Sequence, residues 1–390
     1  MISSTFDEGL QQSASGLPTI CIVAHNAYGA LIGNGGGHIG GVEHQTSMFA
    51  KWLVSQGYRV TLLTWDEGQG ASAQVDGVRV VSICRQNQGL MGIRFVHPRW
   101  TGLCRALSTA DAEVYYHNGA EAVSGQIGMW CRRNGRRFVF SAAADADVDP
   151  SMPALTRRRD RWLFKRGLRA ANAIIVQTKK QQALLRDGHG LDSVVLPMPC
   201  QGFVAHPEER RAAAGRQRAL WVGRVVPVKR LEWLLDVAAS RPGIAFDVVG
   251  PAEHDEYAKP LLARATSLRN VIVHGRQSRA AMPSFYQRAS CLISTSLREG
   301  FPNTFLEAWS HGLPVLSTVE IDGLLQEGGL GRVAHTPEKL ALALDALLGD
   351  CAAREKMSVQ ARRYYETHHR ADAALPKFAE CLNRVAISNQ

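Results

Sequence analysis

At 390 residues the chain exceeds what one ordinary core absorbs, so two domains are expected. Apolar residues make up 45% and charged residues 21%, the balance of a soluble globular chain, and no run of about 18 apolar residues is present to span a bilayer. The net charge of +10 suits an anionic partner (a nucleotide, a phospholipid surface or nucleic acid) and does not choose among them.

Met1 to Leu17 is polar and reads as a loose tail rather than a signal peptide. An apolar run at 19–24 predicts the first buried strand. It is followed by the glycine-rich stretch Gly33-Asn34-Gly35-Gly36-Gly37-His38-Ile39-Gly40-Gly41 and a helix over 42–56. Further strands are expected at 59–64, 78–83, 113–117, 137–141, 173–177 and 193–196, with helices over 121–134, 154–170 and 179–187. Polar residues 201–217 form a linker. The alternation then restarts, with strands at 218–222, 245–249, 271–273 and 291–294 and helices over 230–239, 255–267 and 280–288. Pro260 is a candidate for the true first turn of the 255–267 helix.

Leu297 to Ser317 reads as loop, short helix and buried strand, and helices over 337–348, 352–366 and 371–387 complete the chain. Short apolar strands alternating with helices predict two tandem Rossmann-like doubly wound α/β domains. The expected boundaries are a tail 1–17, a first domain 18–200, the linker 201–217, a second domain 218–370 and a final helix 371–390. Eight cysteines are scattered singly, without metal-ligand spacing, and read as reduced thiols of a cytoplasmic protein.

Ligands of open parallel sheets bind beyond the carboxyl ends of the strands. Gly33–Gly41, His117, Asp145, Asp147, Gly223–Lys229, Gly250 and Glu299 all follow predicted strand ends. A helix start after Gly300 and Pro302, capped by Asn303 or Thr304, offers free N–H groups and a positive dipole end to a phosphate. Arg224 and Lys229 supply a planar fork and a point charge for phosphate, or are ordinary solvated cations.

Glu299 and Glu307 are eight positions apart. A retaining hydrolase needs carboxylates about 5 Å apart, whereas eight residues span up to about 12 Å at helical rise. Thr304-Phe305-Leu306-Glu307 also fits a capping box, which would give Glu307 a purely structural task. Gly35–Gly40 matches a dinucleotide fingerprint by letter but lies about ten residues beyond the first strand, which leaves a nicotinamide oxidoreductase as an alternative. Asp145, Asp147 and Asp149 lack a nearby histidine to complete a metal site and read as a substrate-facing loop. The basic stretch 153–169, with Trp162, Leu163, Phe164 and Leu168, either lies on an anionic membrane or packs its apolar side on the sheet. No nucleic-acid module surrounds it, so nucleic acid is not expected as a partner.

Gly223-Arg224 with Lys229, Val248-Val249-Gly250, Glu299-Gly300-Phe301-Pro302-Asn303 through Glu307-Ala308, and Gly312-Leu313-Pro314-Val315 together resemble the retaining GT-B glycosyltransferases of family 4. The likeness covers 218–318 strongly and extends more weakly to Gly40-Gly41 and 173–178. It implies a nucleoside-diphosphate sugar as donor, held by Gly40, Gly41, Gly223, Gly250, Gly300, Phe301, Pro302, Asn303, Thr304 and Glu307. Arg224 and Lys229 would neutralise the leaving diphosphate, Glu299 would hold the donor sugar, and Glu307 the ribose. No metal or other cofactor is implied. The acceptor would be a glycan or a lipid-linked sugar in polysaccharide or lipopolysaccharide assembly. A non-catalytic donor-binding subunit is the remaining alternative. One departure concerns the loop after 137–141, where many relatives carry a histidine; here it reads Ala142-Ala143-Ala144-Asp145-Ala146-Asp147, leaving Asp145, Asp147 or His117 as acceptor-side candidates. Arg230 also stands where a glycine often follows the lysine.

Overall fold

A computed structural model describes residues 16–33, 40–202, 217–252 and 256–388. The first sheet has eight strands: β1 Ile20–Val23, β2 Val60–Thr64, β3 Ser72–Val75, β4 Val78–Ser82, β5 Val114–Asn118, β6 Arg137–Ser141, β7 Ala173–Val176 and β8 Val194–Val195. Their order is β3-β4-β2-β1-β5-β6-β7-β8, parallel except for the β3–β4 pair. The second sheet has six parallel strands: β9 Arg218–Val222, β10 Ala245–Val249, β11 Val271–Gly275, β12 Cys291–Ser294, β13 Val315–Ser317 and β14 Gly331–Val333, in the order β11-β10-β9-β12-β13-β14. Two doubly wound sheets with helices on both faces are the expected architecture.

Most of the apolar runs predicted as strands are buried on both faces, as parallel strands covered by helices require, while the edge strands β8 and β11 leave Val194, Ile272 and Val273 exposed. Two strands had no such run. β3 (Ser-Ala-Gln-Val) is a half-exposed edge strand, formed because Asp76 and Gly77 both take positive φ and fold the chain back onto β4. β14 is a three-residue edge beside β13. The helix Thr101–Ala110, also unpredicted from the sequence, buries Leu103, Ala106 and Leu107.

The last helix, Ala371–Ile387, belongs to the first domain by packing. Leu375, Phe378, Ala379, Cys381, Leu382 and Val385 join the core formed by Ile20, Ile22, Phe49 and Tyr116. Phe378 meets Phe49 edge to face at 5.7 Å, and Tyr58 and Asn383 exchange a side-chain hydrogen bond. The chain passes between domains beside a second tie: the Cys200 N–H donates to the His369 carbonyl at 2.7 Å, and the two segments form a parallel bridge there. All eight cysteines are free thiols, six of them buried, while Cys104 is half-buried and Cys351 exposed.

Candidate active site

The site grows from the carboxyl ends of β9 and β12, which are neighbours in the second sheet. After β9 the chain runs through Gly223 and Arg224 into a single turn, Pro227–Lys229, and Arg230 then adopts φ +48°. After β12, Thr295 to Pro302 lead into the helix Asn303–Ser310. Several hydrogen bonds stitch the two loops together. The Leu297 N–H donates to the Val228 carbonyl at 2.8 Å. The Thr295 hydroxyl donates to the Lys229 carbonyl at 2.7 Å and accepts from the Trp221 indole at 3.0 Å. The Arg230 guanidinium donates to the Thr295 and Ser296 carbonyls at 2.8 and 3.1 Å.

On this frame Lys229 Nζ and the Glu299 carboxylate form an ion pair, both side chains mostly shielded from water. Arg224 is exposed, and among the described residues no carboxylate pairs with it. It projects from the same loop as Lys229, so the loop presents one committed and one uncommitted cation. Gly250, at φ +144°, has a packing reason to be glycine: a Cβ there would lie 1.8 Å from the Gly223 carbonyl oxygen. That close approach holds Gly223 against β10, where its N–H donates to Val249 at 3.0 Å.

Glu307 does not close a capping box. The helix Asn303–Ser310 has Pro302 at its N-cap with no side-chain cap, and Glu307 lies in its second turn rather than its first. Its carboxylate instead accepts from the Tyr286 hydroxyl at 2.6 Å and from Arg279 at 3.4 Å. Burial raises the Glu307 pKa above the ordinary glutamate value, against the opposing pull of Tyr286 and Arg279. The Phe301 side chain is packed against Trp309 and His369 in the second core, which leaves only its backbone for a ligand. Pro302 is buried and Thr304 half-buried.

The glutamate loop faces the first domain directly. A Cβ on Gly300 would approach Ala144 Cα at 3.0 Å and Gln181 Nε2 at 3.2 Å. Asn303 accepts from Gln45 Nε2 at 2.8 Å, and a Cβ on Gly41 would lie 2.3 Å from the Asn303 amide nitrogen. Gly40 caps the helix Gly41–Ser55, whose first turn is thereby brought against Asn303. One turn on, His44 is half-buried near Arg279 of the other domain; burial first, then Arg279 and Lys51, push its pKa down to about 4. A third bridge has the Asp322 carboxylate accepting from the Lys179 N–H at 2.7 Å, at the start of the helix Lys179–His189.

The acceptor-side candidates are placed as follows. His117 is buried at the end of β5, its Nδ1 2.8 Å from the Val23 carbonyl, and its Nε2 has no partner among the described residues. Burial lowers its pKa. Asp147 is also buried, and its carboxylate accepts from the Ala143 and Ala144 N–H groups at 2.7 and 2.9 Å, so it braces its own loop. Burial raises the Asp147 pKa against those hydrogen bonds. Asp145 pairs with Lys180 at 2.6 Å and accepts from Gln181 at 3.1 Å. It is nearest the glutamate loop, since its backbone nitrogen lies 3.4 Å from where a Gly300 Cβ would stand. Of the Gly35–Gly40 fingerprint, all but Gly40 lies outside the described residues, as does most of the 201–217 linker. No group of three His, Cys, Asp or Glu side chains is arranged to hold a metal among the described residues.

Sequence reasoning missed Arg279, Tyr286, His44, Gln45, Gln181 and Asp322. Arg279 and Tyr286 are seven residues apart, a spacing that puts two side chains on one helical face, and that was the available signal. The others act across the domain gap and have no local signature.

Residues 216–350 match the family described as Glycosyl transferases group 1, and residues 40–200 match the Glycosyl transferase 4-like domain. A D-inositol 3-phosphate glycosyltransferase of Nocardiopsis dassonvillei is 27% identical over 306 residues, covering 68% of this chain and 70% of that protein. The Mycobacterium tuberculosis protein of the same name is 26% identical over 302 residues, covering 69% and 62%. Among solved structures, sucrose-phosphate synthase from Thermosynechococcus elongatus superposes with a TM-score of 0.76 at 17% identity, covering 95% of this chain and all of that one. Anabaena HepE, in complex with UDP and glucose, gives 0.73 at 17% identity over 94% and 99%. WaaG, a glycosyltransferase involved in lipopolysaccharide biosynthesis, gives 0.68 at 16% identity over 93% and 99%.

Proposed function

The chain belongs to the group 1 glycosyltransferases of GT-B fold, and from that premise we propose that it transfers a sugar from a nucleoside diphosphate to a glycan or lipid-linked acceptor with retention of anomeric configuration. The observation that carries the donor class is the Lys229–Glu299 pair beside the exposed Arg224, on two loops fastened to each other at the cleft. Departure of a nucleoside diphosphate develops negative charge, and fixed cations that meet it lower the barrier without reorganising.

In this reading Arg224 and Lys229 receive the diphosphate. Glu299, relieved of part of its lysine contact, accepts hydroxyls of the donor sugar, and the backbone from Gly300 onward contributes N–H groups at a helix start. Glu307, held by Tyr286 and Arg279, bonds the ribose hydroxyls. The two cations take the part that a divalent ion plays elsewhere, so a chelator leaves the rate unchanged. The assembly of a polysaccharide or lipopolysaccharide supplies the expected acceptors. Family membership favours this over the nicotinamide reading of Gly35–Gly40.

The test is a panel of UDP-, GDP- and ADP-sugars offered to the wild type and to Arg224→Ala and Glu299→Ala, with the product anomer read by NMR. Activity undiminished in both variants would remove the assigned roles, and an inverted anomer would remove retention. Binding of a nucleoside diphosphate without transfer or donor hydrolysis would favour a non-catalytic subunit.

A further inference from the structure

Four of the five most exposed large apolar side chains described in the first domain gather in one segment beyond β4. Leu90 and Met91 are 74% and 87% exposed, and Ile93 and Val96 are 57% exposed. Scattered exposed hydrophobics are ordinary, but four within seven residues form a patch that calls for a partner. The patch stands on a fixed base. Gly89 and Gly92 take φ +93° and +94° and turn its tip. Below it, Pro98 is buried, Phe95 meets Trp100 edge to face, and Arg99 donates to the Gln86 carbonyl at 2.7 Å.

The helix Arg158–Ala170 lies alongside, joined by the Arg159 guanidinium over the Phe95 ring at 3.3 Å. Its apolar side does not face outward: Phe164 and Leu168 pack in a core with Val123, Ile127 and Phe140, and Leu163 is buried. Of the two readings of this stretch, packing of its apolar side is the one these three residues follow. Only Trp162 points out, 51% exposed, with Arg166 stacked over it at 4.7 Å. Arg158, Arg159, Trp162 and Arg166 share one helical face by their spacing. Residues 85–99 and 157–169 together carry ten Lys and Arg and a single carboxylate, Asp160.

We propose that this surface docks on an anionic lipid bilayer, with Leu90, Met91 and Ile93 entering the boundary between headgroups and acyl chains. Trp162 then lies at the interface, and the arginines meet headgroup phosphates. Charge complementarity selects the occupant. A second copy of the chain would bring ten cations against ten, whereas an anionic bilayer offers apolar depth and negative charge together. The loop leaves β4 at the same strand edge that opens on the cleft, so a docked chain draws a lipid-linked acceptor from the membrane side. That last consequence rests on the proposed transferase reading; the docking itself does not.

The test is co-sedimentation of the full chain with vesicles of phosphatidylglycerol and phosphatidylcholine, and with phosphatidylcholine alone. Binding is expected only with the anionic vesicles, weakening as salt rises. Leu90→Asp with Met91→Asp, and separately Arg158→Glu with Arg166→Glu, each weaken it by about tenfold or more. Both pairs are exposed, so an unchanged melting curve certifies the fold, and transfer to a water-soluble acceptor is unaffected by either. Absence of binding to anionic vesicles at low salt would overturn the proposal. So would full binding by the Leu90 and Met91 variant, which would leave only adsorption of charge, or a self-association abolished by that same variant, which would make the patch a contact between copies.

Discussion

Lys229→Ala separates two accounts of the central ion pair. In one, Lys229 acts on the donor's phosphates; in the other, it merely satisfies Glu299. A unit charge about 4 Å from the charge developing on a leaving phosphate contributes about 4 kcal/mol at an effective dielectric near 20. Lys229 is 26% exposed, so solvent trims that figure. The expected loss in kcat/KM is therefore about 100- to 1000-fold, the range for removing one pre-placed stabilising group. The stability cost is smaller, about 1–2 kcal/mol, because the pair is partly wet. Steady-state kinetics with the preferred nucleotide sugar measure the first quantity, and denaturant unfolding the second. The double variant Lys229→Ala with Glu299→Ala then decides. If the lysine only neutralises the glutamate, the double variant is no slower than Glu299→Ala alone; if the lysine meets the phosphates, it falls well below that single variant. A Lys229→Ala enzyme within about threefold of wild type in kcat/KM, or a double variant no slower than Glu299→Ala alone, would refute the assignment.

Gly250→Ala forces a methyl to within 1.8 Å of the Gly223 carbonyl at a φ of +144°, and a stability loss of about 3 kcal/mol or more is expected, measured by thermal or denaturant unfolding. Phe378→Ala removes a buried ring that ties the final helix to the first core, at about 3–5 kcal/mol, with early loss of protection of 371–387 in hydrogen exchange. Glu307→Gln tests the raised carboxyl. A raised folded pKa destabilises the ionised form, so its contribution is fully present below the unfolded value and lost as pH rises through the folded one. The melting temperature of Glu307→Gln relative to wild type is therefore highest at neutral pH and lowest below about pH 4, while its donor KM rises at neutral pH if the carboxylate binds ribose.

Periodicity revealed every strand buried on both faces, because apolar runs of four or five residues bounded by turns have few other uses in a soluble chain. It missed β3 and β14 for the converse reason: edge strands with one wet face carry no such run. The second-domain half of the candidate site was legible because its residues fall in two short segments, 223–229 and 299–307, that follow adjacent strands. What the sequence concealed was the set of contacts between domains. Nothing local about Gln45, Gln181 or Asp322 indicates that they meet Asn303, Gly300 or a helix start in the other half of the chain. For Glu307 a local rule offered an alternative that the structure removes. The capping-box letters were present, but Pro302 took the cap, and Tyr286 and Arg279 offered the carboxylate better partners than a helix end.

Arg230 shows how a departure from the family pattern is absorbed. The backbone there is left-handed, at φ +48°, a conformation that glycine adopts freely and a side chain adopts at a cost of about 1 kcal/mol. The turn after Lys229 needs that geometry whatever residue stands there, which suits the glycine that the resemblance places after the lysine. In this chain the arginine offsets the cost by donating to two carbonyls at the root of the glutamate loop and stacking on Trp233 at 3.8 Å. Those two carbonyls, of Thr295 and Ser296, stand immediately before the residues that carry Glu299. The lysine loop is thus tied to the glutamate loop on both sides of Lys229, by Val228 before it and Arg230 after it. A site that works by fixed charge requires such rigidity, and here a residue that breaks the family's glycine pattern supplies part of it.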